Sequence, residues 1–487
     1  MRKSYSKQLR LDSPPIDQVE LNFGCRDSLI PVLQSLQHVY SKPDLTETIM
    51  QLVARDINGE TSAKRGREGM DYWHILVLAS VRLGCNYTYD QVHDLSENHI
   101  KLRAIMGLGS WDEQTKFKWQ KIRDNVCRLK PQTIDEISRL VVSLGHEIDP
   151  EAIKKIRADS FVMETNIHYP AESALIRDGL RKILDMCSEL AVGDRLLGWR
   201  QHDHLWKKVK QLAREIDRIA GKKGPNYVER MKKPYRELLQ KAVQITQRAR
   251  DLCMTLLLPI ATIVDVFGPN TLQAFIARTE RVIDTATRRV LKGETVPNSD
   301  KLFSVFEPHT QLYIRGKAGE PIQFGRQVLV FEDAAGFIVH KMLMKRDQCD
   351  SGVAIEATKA LQKMFDNKIE RVSFDRGFHS PVNQIELSEI VPDLCLPKPG
   401  AKQSVAQLAS ADDEFRAAQQ NHPGVESAIG ALQSGNGMKR CRDRSEIGFE
   451  RYVSLAILGR NMHTLGRLLI AQQSPNSEAA LTRRHAA

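Results

Sequence analysis

No CxxC pair and no Cys/His cluster at zinc spacing occurs in this chain. Its eight cysteines, at 25, 85, 127, 187, 253, 349, 395 and 441, are spread almost evenly. That distribution excludes a zinc ribbon or a disulfide framework and reads as reduced, mostly buried thiols of a cytosolic protein. Long apolar runs are also missing. The longest, Leu252 to Val264, is interrupted by Pro259 and stops at Asp265, too short for a bilayer and suited to a buried helix. Met1 to Arg10 is basic and polar with no apolar stretch behind it, so no secretory signal is expected. Strand signals are nearly absent before residue 150, where apolar residues recur at helical spacing instead.

A length of 487 residues exceeds one ordinary core and implies about three domains. The net charge of +11 and pI of 9.2 make a polyanion the default partner, nucleic acid ahead of an acidic membrane surface. Much of that charge is concentrated: Arg200 to Asp251 holds fifteen Lys and Arg against six Asp and Glu, with Trp199, Trp206, Tyr227 and Tyr235 in or beside it. Lys207, Lys208, Lys222 and Lys223 are candidate phosphate contacts there, against the plainer reading of a solvated helix face. Gly221-Lys222-Lys223-Gly224-Pro225 reads as the tip of a helical hairpin. Earlier, Thr88 to Leu95 and His99 to Arg103 read as two short helices about a polar turn. They form either a helix-turn-helix aiming Asn98, His99, Lys101 and Arg103 at a major groove or a plain helical hairpin.

Ile156 to Glu164 is the first convincing strand and aligns Asp159 with Phe161 and Met163 on one face. A charge there is costly to bury without a partner or a metal. Ile369 to Phe374 is a second strand that runs out into Asp375-Arg376-Gly377, where Gly377 is expected to turn the backbone sharply. Between them lie long helices to about Lys292, then a hairpin about Asp333-Ala334-Ala335-Gly336, then alternating helices and strands. That order suits a mixed sheet covered by helices. Pro423-Gly424 opens a helix with Val425, Ala428, Ile429 and Leu432 at i, i+3, i+4, i+7 and Glu426 at the border of the stripe. A final helix runs from Phe449 to Ile470, preceded by the basic stretch Lys439-Arg440-Cys441-Arg442-Asp443-Arg444.

Three carboxylates on neighbouring elements suit phosphodiester chemistry, in which two divalent ions about 4 Å apart stabilise the transition state and activate the attacking oxygen. Asp159, Asp375 and Glu426 fit that need. Ala158-Asp159-Ser160 with Glu164 to Pro170, Phe374-Asp375-Arg376-Gly377-Phe378, Pro423 to Ile429, Gly437 to Arg442 and Ala456 to Asn461 together resemble the DDE transposases of bacterial insertion sequences. The helical block between the first two acids is similar to the insertions of the less-classified members of that group. Gln433 stands where some relatives carry a Lys, and Glu446 and Glu450 compete with Glu426 for the third place.

The resemblance implies a multidomain α+β chain with an RNase H-like mixed sheet flanked by helices. An all-α DNA-binding domain would span 1–150, the catalytic domain 151–185 with 300–470, a basic helical insertion 186–299 and a tail 471–487. It implies two Mg2+ or Mn2+ ions on Asp159, Asp375 and Glu426, cleavage at terminal inverted repeats and transfer of the 3′ end into target DNA. Arg376, Lys439, Arg440 and Arg442 would contact phosphates near the scissile bond, and His168 and His379 could position DNA or water. The expected setting is cytoplasmic, on the nucleoid and away from membranes, as a homodimer or higher assembly on double-stranded DNA.

Overall fold

A computed structural model of the chain describes residues 10–59, 69–191, 199–257, 263–314, 321–346, 348–398 and 423–473. Before the first strand come α1 (Leu29–Tyr40), α2 (Pro43–Asn58), α3 (Tyr72–Gly84), α4 (Tyr89–Asn98), α5 (Ile100–Ile105), α6 (Trp119–Val126) and α7 (Pro131–Ile148). Their starts are written locally. Pro43 and Pro131 occupy first turns, where a missing N–H costs nothing. Thr88 and Gln91 close a reciprocal capping box on α4.

The sheet follows. β1 (Lys155–Glu164) is flanked by β3 (Ile322–Asp333) on one side and β5 (Arg371–Phe374) on the other, with β6 (Asp393–Cys395) beyond β5 and β4 (Ile338–Leu343) on β3. β1, β5 and β6 run parallel to one another, and β4 runs antiparallel to β3. β3 is antiparallel to β1: Ala334 N–H donates to the Ala152 carbonyl at 3.1 Å at one end, and Gln327 Nε2 to Ser160 Oγ at 2.6 Å at the other. The mixed, helix-flanked sheet is the expected one.

The chain divides into two compact units, Met1–Asn166 with Arg326–Ala487, and Ile167–Gly325. In the first, helix α15 (Glu446–Gln472) is buried along most of its length, and α1, α3, α7 and β4 pack around it. The N-terminal helices therefore share one core with the sheet. Close approach requires glycine at two places. A β-carbon on Gly459 would stand 2.4 Å from Gly84 N, and one on Gly466 1.8 Å from the Pro31 carbonyl oxygen. Helices α12 (Asp350–Met364) and α13 (Pro381–Ile390) flank β5 in the chain and pack on each other, with Gln362 Nε2 bridging the Ile369 and Ile390 carbonyls at 2.9 and 3.0 Å.

The second unit is built on α8 (Glu172–Leu190), α9 (His202–Lys222), α10 (Tyr227–Leu257) and α11 (Ile263–Ala286), with β2 (Gln311–Ile314) paired antiparallel to Ile322–Gly325. Its own core includes Leu180, Ile183, Val209, Ile216, Leu238 and Leu272. The hairpin tip is where the glycines and proline predict it, with Lys223 in the left-handed region at φ 39°. One expectation falls partly outside the described residues: of Leu252 to Val264, expected as a buried helix, Leu252–Leu257 belongs to α10 and Ile263 onward to α11, while 258–262, with Pro259, lie outside the described residues. Among the described residues no helix is long and apolar enough to cross a membrane.

Candidate active site

Strand register makes neighbours of Asp159 and Asp375. β1 and β5 pair as Lys155 with Arg371, Ile156 with Val372, Arg157 with Ser373 and Ala158 with Phe374. The next step in that register is Asp159 with Asp375, on strands about 5 Å apart. Parallel partners share a face, so both acids belong to the side carrying Arg157. Each bends onto the amide that follows it: Ser160 N–H donates to Asp159 Oδ1 at 2.6 Å and Arg376 N–H to Asp375 Oδ1 at 2.7 Å. Asp159 is half-buried and Asp375 exposed.

Asp375 caps a single 3-10 turn, Arg376–Phe378, and that turn carries the chain away from the sheet. The expected role of Gly377 is thereby corrected. It has no positive φ, so capping by Asp375 rather than glycine's backbone freedom makes the bend.

Glu426 stands in the first turn of α14 (Pro423–Gly435), which packs against β1. Val425, Ala428, Ile429 and Leu432 are buried, and Glu426 is left exposed, as the spacing predicts. Arg157, two residues before Asp159, lies against this turn. A β-carbon on Gly424 would be 2.0 Å from Arg157 Nη1. Arg157 Nη2 in turn meets buried Glu332 Oε2 at 3.1 Å. The competing acids are otherwise engaged, since Arg326 Nη1 lies 3.2 Å from Glu446 and 3.6 Å from Glu450.

The fold thus brings Asp159 and Asp375 together, and α14 to the same strand. Among the described residues, no group of three or more His, Cys, Asp or Glu side chains that could hold a metal ion is found. The donor set is nonetheless chemically suited to a hard divalent cation, being carboxylate oxygens on adjacent strand positions.

Sequence reasoning missed the groups around the acids. Gln327 Nε2 donates both to Ser160 Oγ and, at 2.7 Å, to Asp350 Oδ1 at the start of α12. A β-carbon on Gly377 would lie 3.7 Å from Asp350 Oδ2, which puts this carboxylate beside the turn that carries Asp375. Only Arg157 had a legible signal, its period-two alignment with Asp159.

The cations sort into two kinds. Arg103 donates to the carbonyls of Ser96, Asp112 and Thr115 at 2.9, 2.7 and 3.3 Å, and His99 Nδ1 accepts from Leu102 N–H to cap α5. Both brace the α4–α5 corner. Asn98 is exposed with Nδ2 on Asp94 Oδ1 at 2.8 Å, and Lys101 is exposed. Arg442 is likewise internal, bonded to Tyr452 OH at 3.0 Å and Asn86 Oδ1 at 2.8 Å, while Arg440 pairs with Glu164 at 2.9 Å. Lys439 and Arg376 are exposed. Lys207, Lys208, Lys222 and Lys223 are exposed on and just beyond α9, and no ion pair among the described residues engages them.

His168 belongs to the second unit. Burial alone would lower its pKa, but its hydrogen bond to Asp178, 2.7 Å away, raises it above the ordinary value. His379 is half-buried just after the Asp375 turn. Compared with protein-family models, curated proteins and solved structures, the chain finds no match.

Proposed function

We propose that this chain is a DDE-type transposase with an RNase H-like core, cutting DNA at the ends of an insertion sequence and joining them to target DNA. One observation carries the reading. The parallel register of β1 and β5, extended by one residue, pairs Asp159 with Asp375 at the edge where both pairings end. Support also comes from the strand order β4-β3-β1-β5-β6, in a sheet flanked by helices, and from a third acid on a helix packed against β1. Asp159, Asp375 and Glu426 would hold Mg2+ or Mn2+. When bound, the ions lower the barrier to attack on phosphorus by neutralising charge on the phosphate.

The chain's own residues supply the rest of this reading. Asp159 and Asp375 are preset by their hydrogen bonds to the following amides. The unpaired lysines of α9 and the hairpin tip would grip the DNA backbone in a sequence-independent way. Paired element ends would call for two or more copies of the chain.

The specific observation that favours a second reading, a transposase-derived DNA-binding protein without catalysis, is that Asp375 accepts from Arg376 N–H and caps its own 3-10 turn, a purely structural use of the acid. Incubation of the full chain with Mg2+ and precut DNA from the flanks of its own coding sequence separates the two. Strand-transfer products support the proposal. Hydrolysis alone points to a nuclease, and retarded but intact DNA points to the non-catalytic reading.

A further inference from the structure

The third acid is carried by the first turn of α14, and at Gly424 that turn rests on a charged side chain of the strand bearing the first acid. Arg157 Nη1 occupies the place a Gly424 β-carbon would take, 2.0 Å from it. Such an overlap is easily relieved when the neighbour is the free end of a flexible side chain. Here it is not free, because Glu332 Oε2 holds Arg157 Nη2 at 3.1 Å from the neighbouring strand. Glu332 is itself almost wholly enclosed, with Arg460 of α15 at 4.0 Å from its other oxygen. The guanidinium is therefore fixed from below by β3 and presents a flat surface that only a glycine can meet closely.

We infer that Arg157 is a positioning residue: pinned by Glu332, its guanidinium seats the first turn of α14 on β1 and thereby sets where Glu426 stands relative to Asp159 and Asp375. The inference rests on the reading of Glu426 as third metal ligand, and it adds a supporting layer to it. Residues that orient a ligand without touching the ion commonly change metal affinity tenfold or more. Arg157, Glu332 and Gly424 form such a layer from two strands and a helix start.

The test uses the full-length chain and two readouts that need no turnover. Hydrogen exchange is followed at the amides of Ser427 to Gly430, which bond back to the carbonyls of the first turn. Mn2+ binding is followed by the paramagnetic resonance of the free ion. Arg157→Ala is expected to speed exchange at these amides at least tenfold, leave α15 unchanged and weaken Mn2+ binding about tenfold. Arg157→Lys, keeping the charge but not the planar fork, is expected to restore part of both. Adding Glu426→Gln to Arg157→Ala is expected to cost little more Mn2+ affinity than either change alone, since both act on one ligand.

Gly424→Ala disturbs the same contact while keeping both Arg157 and Glu332, and decides the matter if Arg157→Ala fails to fold. Unchanged exchange in the variants overturns the inference. Faster exchange with Mn2+ affinity within twofold of wild type reduces Arg157 to a helix support and overturns the positioning role. A wild-type chain that binds no Mn2+ overturns the metal-dependent reading, and the exchange data still decide whether Arg157 anchors the turn.

Discussion

Arg82 and Asp443, 361 residues apart, form a 2.6 Å ion pair with both side chains almost fully buried. The guanidinium also lies 3.9 Å from the Tyr89 ring centroid. Burial alone would lower the pKa of Arg82, but Tyr89 and Asp443 raise it, so the charge persists inside the core. Through this pair the N-terminal helices are fastened to the loop that the sequence presents as a basic DNA-binding patch.

Removing one partner of such a pair strands the other. Asp443→Ala is expected to destabilise the first unit by about 3–5 kcal/mol. Urea unfolding checks this. DNA affinity measured where the variant is still folded is expected to be unchanged, as is that of Arg442→Ala and Arg103→Ala. A selective loss of DNA affinity at constant stability would return these arginines to the DNA surface.

Asp375→Asn keeps the shape of the capping side chain and removes its charge. Strand cleavage is expected to fall at least roughly a thousandfold, about 4 kcal/mol of barrier. Binding of DNA is expected to hold or tighten, since a negative charge beside phosphate is gone. Cleavage at the wild-type rate would show that the acid merely caps its turn.

The lysines of the second unit should act as charges and not as struts. Replacing Lys207, Lys208, Lys222 and Lys223 together by Ala is expected to leave the melting temperature nearly unchanged. The slope of log affinity against log salt is expected to flatten by about 0.9 for each DNA phosphate that these lysines no longer neutralise. An unaltered slope would make the basic face of α9 a solvated surface only.

Three groups, one buried and two half-buried, set opposing pH dependences in the first unit. Burial pushes the Glu332 carboxyl up to about 7 despite Arg157 and Arg460, with Asp333 adding to the rise. Its contribution to stability is complete below the unfolded value near 4.5 and is lost as pH rises through about 7. Burial pushes His340 and His463 down to about 4, helped by Lys341 beside the first and by Arg467 and Arg460 beside the second. Their contribution is complete above 6.5 and is lost as pH falls through about 4. Glu332→Gln deletes only the first effect. The loss of stability between pH 7 and 4.5 is then expected to be steeper by about 3 kcal/mol than in wild type, as denaturant titrations across that range would show.

Local chemistry made much of this protein legible in its residues. Period-two alternation marked β1 and exposed the face shared by Asp159; 3.6-residue spacing marked α14 and left Glu426 outside its buried stripe. Glycine and proline placed the turn between α9 and α10. These signals depend on neighbours within a few positions, which a single sequence displays directly.

What only the tertiary structure decided is which charges are available and which acids meet. Arg103 and Arg442 look like Lys207 and Lys222 in sequence, yet the first is consumed by carbonyls of its own corner, Ser96, Asp112 and Thr115, and the second by Asn86, far along the chain. The pairing of Asp159 with Asp375 depends on the register of two strands more than two hundred positions apart, and the support of α14 by Arg157 on a contact with Glu332 from a third strand. Composition and spacing state what each residue can do; long-range packing selects, from all the partners a charge might take, the one that excludes water from it.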